Sequence, residues 1–574
     1  MNHPLLGELM FLPTTIEEVR ARGWTALDVI LVTGDTYIDS PYIGVAVVGK
    51  VLVDAGYRVG IIAQPDIHSD RDIARLGEPE LFWGVTGGCI DSMVANYTAA
   101  KKLRRHGDYT PGGVNDRRPN RAVIVYTNLI KRFFKETAPI VLGGLEASLR
   151  RIAHYDFWAD SVRRSILFDA KADLLVYGMA EKTIVALAEA LKQGETGEQI
   201  PGLCYIAQEK PPDYLELPSY PTVREDKHAF IEMFHTFYHN NDPQTARGLA
   251  QQQDTRYLIQ NPPAPYLSQE ELDAVYALEF ERDAHPYYKA QGEVRALATI
   301  GASVATHRGC YGECNFCAIA MHEGRTIRWR SEDSIVREVE QIARQPDFKG
   351  YIRDVSGPTA NMYGFECEKK LKHGSCEHKR CLTPEICPQL PVDHRPQTAL
   401  LQRLRQIPGV KKVFVASGLR YDLLLTDDRH GDAYLQELVR HHVSGQLKVA
   451  PEHTDPRVLE LMGKPGPENL LEFRRRFFKA TKDAHKKQFL TYYLIAAHPG
   501  CTERDMHRLR QFAIRELHLQ PEQVQIFTPT PSTYSSLMYY TEMDPWTGEK
   551  LFVEKRLGKK IHQKRVVVQK RRRR

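Results

Sequence analysis

The sequence predicts an α/β protein built as a doubly wound sheet domain followed by a partial (β/α)6 barrel. Three observations predict it. Short apolar runs alternate with helical stretches from the start of the chain. Glycines stand at the ends of several of those runs. A second strand rhythm begins near residue 296 and yields six strands with five intervening helices. Such alternation gives parallel strands covered on both faces. The 574 residues are 42% hydrophobic and 26% charged, a globular mix that excludes a fibrous, disordered or membrane-embedded chain. No apolar stretch is long enough to span a bilayer, and Met1 to Thr14 lack the basic start and apolar core of a secretion signal. A cytoplasmic protein without membrane contact is expected.

Residues 1 to about 25 suggest an entry helix, with Thr14 and Glu17 at capping-box spacing. Apolar strands follow at 28–33, 58–63, 81–86, 138–142 and 172–177, with helices at 43–55, from Gly88 through Leu103, and at 181–191. Residues 1–205 therefore form the doubly wound domain. The segment 206–295 is interrupted by Pro211, Pro212, Pro218 and Pro221, and again by Pro262, Pro263 and Pro265, which suggests a helical connector or cap. Barrel strands are expected at 298–305, 351–356, 411–416, 446–450, 489–496 and 523–528, and helices at 331–345, 397–407, 433–443, 468–487 and 503–517. The barrel spans 296–530, with a cysteine-rich insert at 367–387. Residues 531–574 are a C-terminal extension that crosses the barrel before becoming disordered. The net charge of +6 is concentrated there: from Lys555 to Arg574 there are eleven Lys or Arg and no Asp or Glu. That tail suits RNA, DNA or an acidic partner, or is simply solvated.

The ten cysteines are unevenly spread. Cys89, Cys204 and Cys501 stand alone, whereas Cys310, Cys314 and Cys317 form one group and Cys367, Cys376, Cys381 and Cys387 another. A chain of this length does not need disulfides to hold a core, so tight groups point to metal. The first group has the spacing C-x3-C-x2-C directly after the first barrel strand. Soft thiolates suit iron–sulfur clusters or zinc. Three thiolates leave one iron of a [4Fe-4S] cluster open to a ligand, while the zinc alternative needs His307 or His322 as a fourth donor.

Cys310-Tyr-Gly-Glu-Cys314-Asn-Phe-Cys317 resembles the cluster loop of the radical S-adenosylmethionine (radical SAM) superfamily. Together with Gly34-Asp-Thr-Tyr-Ile-Asp39, Ile61-Ile-Ala-Gln-Pro-Asp66 and Met538-Tyr-Tyr-Thr541, it makes the whole chain look like the YgiQ-type family of radical SAM proteins. The resemblance implies a TIM-like radical SAM barrel, a [4Fe-4S] cluster whose open iron chelates the amino and carboxylate groups of SAM, and reductive cleavage to methionine and a 5′-deoxyadenosyl radical. The hard chemistry would be the cofactor's, and the protein would position it. Asp354-Val-Ser-Gly-Pro-Thr-Ala-Asn361 resembles the family's glycine-rich SAM motif, so Ser356, Gly357, Thr359 and Asn361 are expected at the cofactor. Ser417, Arg420 and Glu452 stand at later strand ends and are expected at the SAM ribose and carboxylate. No catalytic residue beyond these is assigned. The cluster loop is similar, more distantly, to that of radical SAM methylthiotransferases of tRNA and ribosomal proteins. A flavodoxin- or ferredoxin-like electron donor is implied.

Four thiolates at Cys367, Cys376, Cys381 and Cys387 can hold either a second [4Fe-4S] cluster or zinc. The first domain resembles the cobalamin-binding-like domains attached to some radical SAM enzymes, through Val141-Leu-Gly-Gly144 and Leu175-Val-Tyr-Gly178. Their cobalt-ligating motif is Asp-x-His-x-x-Gly, and here Asp39-Ser-Pro41-Tyr-Ile-Gly44 has proline in the histidine's place. Coordination of cobalt through that histidine is therefore ruled out; cobalamin held without a protein ligand stays open as the lesser reading, beside a domain that walls the active site or binds another ligand. The function expected is radical SAM modification of an unidentified substrate, with RNA the attractive class. The competing reading is an iron–sulfur nucleic-acid-binding or cluster-handling protein without radical catalysis.

Overall fold

The structure, a computed structural model, describes residues 11–377 and 379–568. Part of the amino-terminal stretch read for a secretion signal, His378 of the insert and residues 569–574 of the basic tail lie outside the described residues. The chain divides into two compact units, Met1–Tyr266 with Ala274–Gly301, and Leu267–Asp273 with Ala302–Arg574. No described helix is long and apolar enough to cross a membrane.

In the first unit, β1 (Leu27–Thr33), β2 (Val59–Ala63), β3 (Pro79–Thr86), β4 (Ile140–Gly143) and β5 (Leu174–Val176) are parallel, in the spatial order β2-β1-β3-β4-β5. Every residue of β2 is buried, which is why its run is apolar rather than alternating. Helices Gly44–Asp54 and Glu181–Lys192 pack with Val29, Leu31, Val59, Ile61 and Val141 into one apolar core. The entry helix is Ile16–Ala21, capped by Thr15 and Glu18 rather than by Thr14 and Glu17. Thr14 is instead buried and donates its hydroxyl to the Ile61 carbonyl at 2.6 Å. The helix after Gly88 is only Ser92–Asn96, because Tyr97 turns extended and pairs with Leu103.

The segment 206–295 differs from the expected helical connector. It adds β7 (Leu215–Leu217), β8 (Leu249–Gln252) and β9 (Tyr257–Gln260) to the same sheet, beyond β6 (Leu203–Ala207), in the order β5-β6-β9-β8-β7. Helices Tyr220–Glu225, Lys227–His239 and Gln269–Ala277 match the helical reading. The prolines fall just outside these short strands, where a missing N–H breaks no ladder bond. They mark strand ends, and strands this short carry too little periodicity to be read.

The second unit carries six parallel strand positions: β10 (Ser303–Ala305), β11 (Asp354–Ser356, preceded by Tyr351–Ile352), β12 (Lys412–Val413), β13 (Gln446–Glu452), β14 (Phe489–Ala496) and β15 (Gln525–Ile526). Leu419 and Val449 bridge the third strand to the fourth in parallel sense. The first strand is shorter than expected because Leu297–Ile300 is helical. Val304, Val355, Val413, Leu447 and Leu490 point outward into a core shared with Ile335, Val339, Leu400, Leu404, Phe473 and Phe477 of the covering helices. The residues that alternate with them face the barrel interior.

The tail is structured further than expected. Helix Leu557–Val567 packs Val566 and Val567 against Cys501, Met506 and Leu509. Buried Lys560 donates to the Tyr539 hydroxyl at 2.7 Å, and buried Gln563 donates to the Cys501 carbonyl at 3.2 Å. Part of the basic charge thus serves packing through its apolar stems. Val567→Asp should lower the melting temperature by many degrees, since it buries an unpaired charge, whereas Lys559→Asp on the exposed face should leave it nearly unchanged. Equal melting of both variants and the parent would contradict a docked tail helix.

Candidate metal centre

The loop carrying Cys310, Cys314 and Cys317 leaves the barrel at the end of its first strand. His307–Arg308 pairs antiparallel with Arg328–Trp329, so the intervening residues form a closed excursion. Gly309 closes its neck: at φ 81° a Cβ would lie 2.3 Å from the Thr326 carbonyl oxygen. Glu313 adopts φ 43°, a left-handed conformation that turns the chain between the first two cysteines. Its buried carboxylate stands 3.6 Å from Arg325 and 3.7 Å from Lys370. Asn315 is tied on several sides: its N–H donates to Met462 O and its amide to Leu461 O, both at 2.9 Å, and its Oδ1 accepts from Arg380 at 2.6 Å.

The thiols are gathered around Gly312. A Cβ there would lie 3.2 Å from Cys310 Sγ, 3.6 Å from Cys314 Sγ and 3.2 Å from Arg420 Nη1. Burial raises the Cys310 and Cys317 thiols above their ordinary range, and mutual repulsion with Cys314 adds to the rise. Neighbouring thiols beside a residue without a side chain are a cradle for a cationic centre. The donor set and the open space fit a thiolate-ligated cluster. His307, one of the two fourth donors named for the zinc alternative, holds its Nδ1 2.8 Å from Thr306 Oγ1, and its Nε2 packs where a Cβ on Gly357 would fall at 2.4 Å. Burial pushes it down to about 3, so it is neutral, and Nε2 has no hydrogen-bond partner among the described residues.

The other expected cofactor residues separate into two groups. Thr359 Oγ1 lies 3.6 Å from Cys310 Sγ, and Arg420 Nη1 lies 3.7 Å from Cys314 Sγ. Ser356 and Ser417 join 3.0 Å apart, and both donate to Asp354, at 2.9 and 2.5 Å. Asp354 also accepts the Ala416 and Ser417 N–H groups, which ties the second strand end to the third. Glu452, at φ 66°, is buried at the fourth strand end; burial raises its carboxyl, opposed by Lys464 and Arg420. Asn361 is different. Its amide exchanges hydrogen bonds with the Arg420 backbone at 2.8 and 3.0 Å and meets His394 Nε2 at 3.1 Å, so it braces the site from behind. The sequence reading overlooked Asp354 and Asp422. Asp422 grips the Arg420 guanidinium through both oxygens at 2.8 and 2.5 Å. Burial works against charge on Arg420, but Asp422 and the thiols of Cys314 and Cys310 outweigh it and hold the guanidinium above its usual value. An acid two residues after the arginine was the available signal.

Of the second cysteine group, Cys367, Cys381 and Cys387 pack together with Tyr311, Met362, Phe365 and Leu382, and Cys376 is exposed. In the first unit, the glycine turns read from the sequence lie close to other chain segments: a Cβ on Gly144 would fall 2.3 Å from Thr86 Oγ1, and the Gly178 N–H donates to Ser148 Oγ at 3.2 Å. The Gly34 carbonyl accepts from Gln64 at 3.0 Å and Arg118 at 2.9 Å, Arg118 pairs with Asp35, and Asp35 accepts the Cys89 N–H at 2.6 Å. Asp39 is buried on Tyr37, Lys50 and the Glu281 N–H. With Pro41 beside it, this turn does not fit a cobalt-ligating motif.

Residues 11–303 match the radical SAM N-terminal family, and residues 304–513 match the radical SAM superfamily. A UPF0313 protein of Fusobacterium nucleatum is 59% identical over 567 residues, covering 99% of this chain and 100% of the relative. One from Thermotoga maritima is 51% identical over 551 residues, 96% of each chain. Among solved structures, the radical SAM methyltransferase TsrM from Kitasatospora setae, with cobalamin and a [4Fe-4S] cluster bound, aligns at TM-score 0.50 and 16% identity, over 90% of this chain and 78% of its own. The cobalamin-dependent radical enzyme OxsB aligns at TM-score 0.51 and 12% identity, over 92% of this chain and 56% of its own. At these identities the likeness is one of fold. Gly312→Val should abolish iron incorporation while leaving the melting temperature of the metal-free protein within a few degrees, because the added methyls fill only the thiol cradle. Full iron content in that variant would contradict the assignment.

Proposed function

The chain belongs to the radical SAM superfamily, among the UPF0313 proteins, and we propose that within it the protein is a SAM-cleaving [4Fe-4S] enzyme that modifies an RNA. The observation that supports the first half is the Gly312 cradle, where a Cβ would meet the Cys310 and Cys314 thiols at 3.2 and 3.6 Å, with Cys317 close enough to both to feel their charge. When bound, the reduced cluster supplies an electron to the SAM sulfonium and so generates the carbon radical that attacks substrate. Cys310, Cys314 and Cys317 would each hold one iron of that cluster. Arg420 and Thr359 stand against the thiols and stabilise their negative charge. Ser356, Ser417 and Asp354 form one hydroxyl–carboxylate network at adjacent strand ends, suited to an amine and ribose hydroxyls. Glu452 and Lys464 present opposite charges from the fourth strand onward. Tyr311, Met362 and Phe316 surround the loop with apolar bulk that limits water. A flavodoxin- or ferredoxin-like protein would deliver the electron.

The RNA half rests on the barrel's inner face. Tyr351 and Phe414 stack there with ring centroids 6.3 Å apart, and Tyr351, Phe489 and Tyr493 are 46%, 52% and 43% exposed. Lys412 pairs beside Tyr351 and Lys448 beside Thr491, on the same face. Exposed aromatics interleaved with lysines suit the bases and phosphates of a single strand. The packed half of the basic tail contributes less to this reading than the sequence suggested.

Anaerobic reduction of the reconstituted protein with SAM should release 5′-deoxyadenosine and methionine, and Cys314→Ala should abolish both. A full cluster without SAM cleavage under several reductants would overturn the enzyme and favour a nucleic-acid-binding or cluster-handling protein. Lys412→Glu with Lys448→Glu should weaken binding of a single-stranded RNA oligonucleotide about tenfold and flatten its logarithmic salt slope by roughly 1.4. Unchanged affinity would remove RNA from the inner face.

A further inference from the structure

We propose that Cys367, Cys381 and Cys387, joined by Cys376, hold a second [4Fe-4S] cluster beside the SAM site. The inference stands on the insert's own geometry and does not depend on SAM cleavage.

The first observation is convergence. The three cysteines come from separate parts of the insert, yet they share one apolar group with Tyr311, Met362, Phe365, Leu382 and Leu390. Cys367 starts helix Glu368–His373, and the Cys387 N–H donates to the Cys381 carbonyl at 2.8 Å. Cys376 lies on the exposed loop only five positions before Cys381, well within reach of the same pocket. A loop this short and rich in lysine has little apolar area of its own to fold around, so a centre bound by four thiolates would supply what packing does not.

The second observation is a buried ammonium. Lys370 is 3% exposed, and its Nζ lies 3.7 Å from Cys381 Sγ. Its carboxylate neighbour, Glu313 at 3.7 Å, also faces Arg325 at 3.6 Å. A buried cation requires close negative charge. A metal-bound thiolate at Cys381 is the anion that this geometry offers, and an N–H bond to a ligand sulfur is one of the means by which proteins tune iron–sulfur clusters.

The third observation separates a cluster from zinc. Structural zinc favours tight cysteine knuckles and four ligands closing on one point. The insert's spacings are x8, x4 and x5.

The two sites are also joined. Cys310 belongs to the same apolar group, with Tyr311 as the next residue. Arg380 of the insert donates to Glu313 O at 3.1 Å and Asn315 Oδ1 at 2.6 Å, and Lys370 donates to the Arg325 carbonyl at 2.5 Å. Filling the insert would therefore stiffen the loop that presents Cys310 and Cys314.

The test is an iron and sulfide count on the full chain with Cys310, Cys314 and Cys317 all replaced by alanine, reconstituted anaerobically. About four irons and four sulfides per chain, with the visible absorption of an iron–sulfur cube, are expected, and adding Cys381→Ala should bring iron below one. No iron in the triple variant, or one tightly held zinc in place of iron, would overturn the proposal. Should the triple variant fail to fold, Mössbauer spectra of the parent protein decide: about eight irons in two cubes supports the second cluster, and about four in one cube refutes it.

Discussion

Gathering three half-buried thiols in one loop is electrostatically unfavourable, and the strand ends around it are arranged to meet that constraint. Burial raises the Cys310 and Cys317 thiols, and their nearness to Cys314 raises them further. Only a strongly cationic centre makes such a pocket stable with the thiols ionised. Gly312 leaves the space for it, Glu313 takes a left-handed conformation to turn the loop, and Asn315 fixes the turn to the backbone after the fourth strand. Arg420 adds a positive charge at the open side, and Asp422 holds it in place.

That arrangement explains why strand ends carry so much of the chemistry. Asp354 joins the second and third strands through two backbone N–H groups and two serine hydroxyls. Asn361 performs the same joining from behind by gripping the Arg420 backbone. The site is rigid because neighbouring strands share acceptors, and such sharing fixes side chains more firmly than a loop could. Glu452 and Ala497 both adopt positive φ at strand ends, a local strain that the surrounding barrel must sustain.

Much of this was legible in the sequence, for identifiable reasons. Buried parallel strands read as apolar runs, so β1 and β2 and the long strands β13 and β14 were placed closely. The cysteine spacing pointed to a metal-binding loop, and the structure places the Cys310 and Cys314 thiols on either side of Gly312. What escaped reading depended on contacts between distant residues. β7, β8 and β9 are too short and too near prolines to show a period, so the sheet's far edge passed for a connector. Asp422 and Asp354 looked like ordinary polar residues until Arg420 and Ser417 were brought to them. Lys560 and Gln563 looked like part of a solvated tail, although both are buried. The likeness to cobalamin enzymes is one of fold, and the turn that would ligate cobalt holds Pro41 and a fully engaged Asp39.

The central claim is that three cysteines leave one iron free to bind SAM directly. Electron–nuclear double resonance on the reduced protein tests it, using SAM labelled with nitrogen-15 at the amine and oxygen-17 at the carboxylate. The account predicts hyperfine coupling from both labels to the cluster, absent without SAM. A reduced, intact cluster that binds SAM yet shows neither coupling would contradict it.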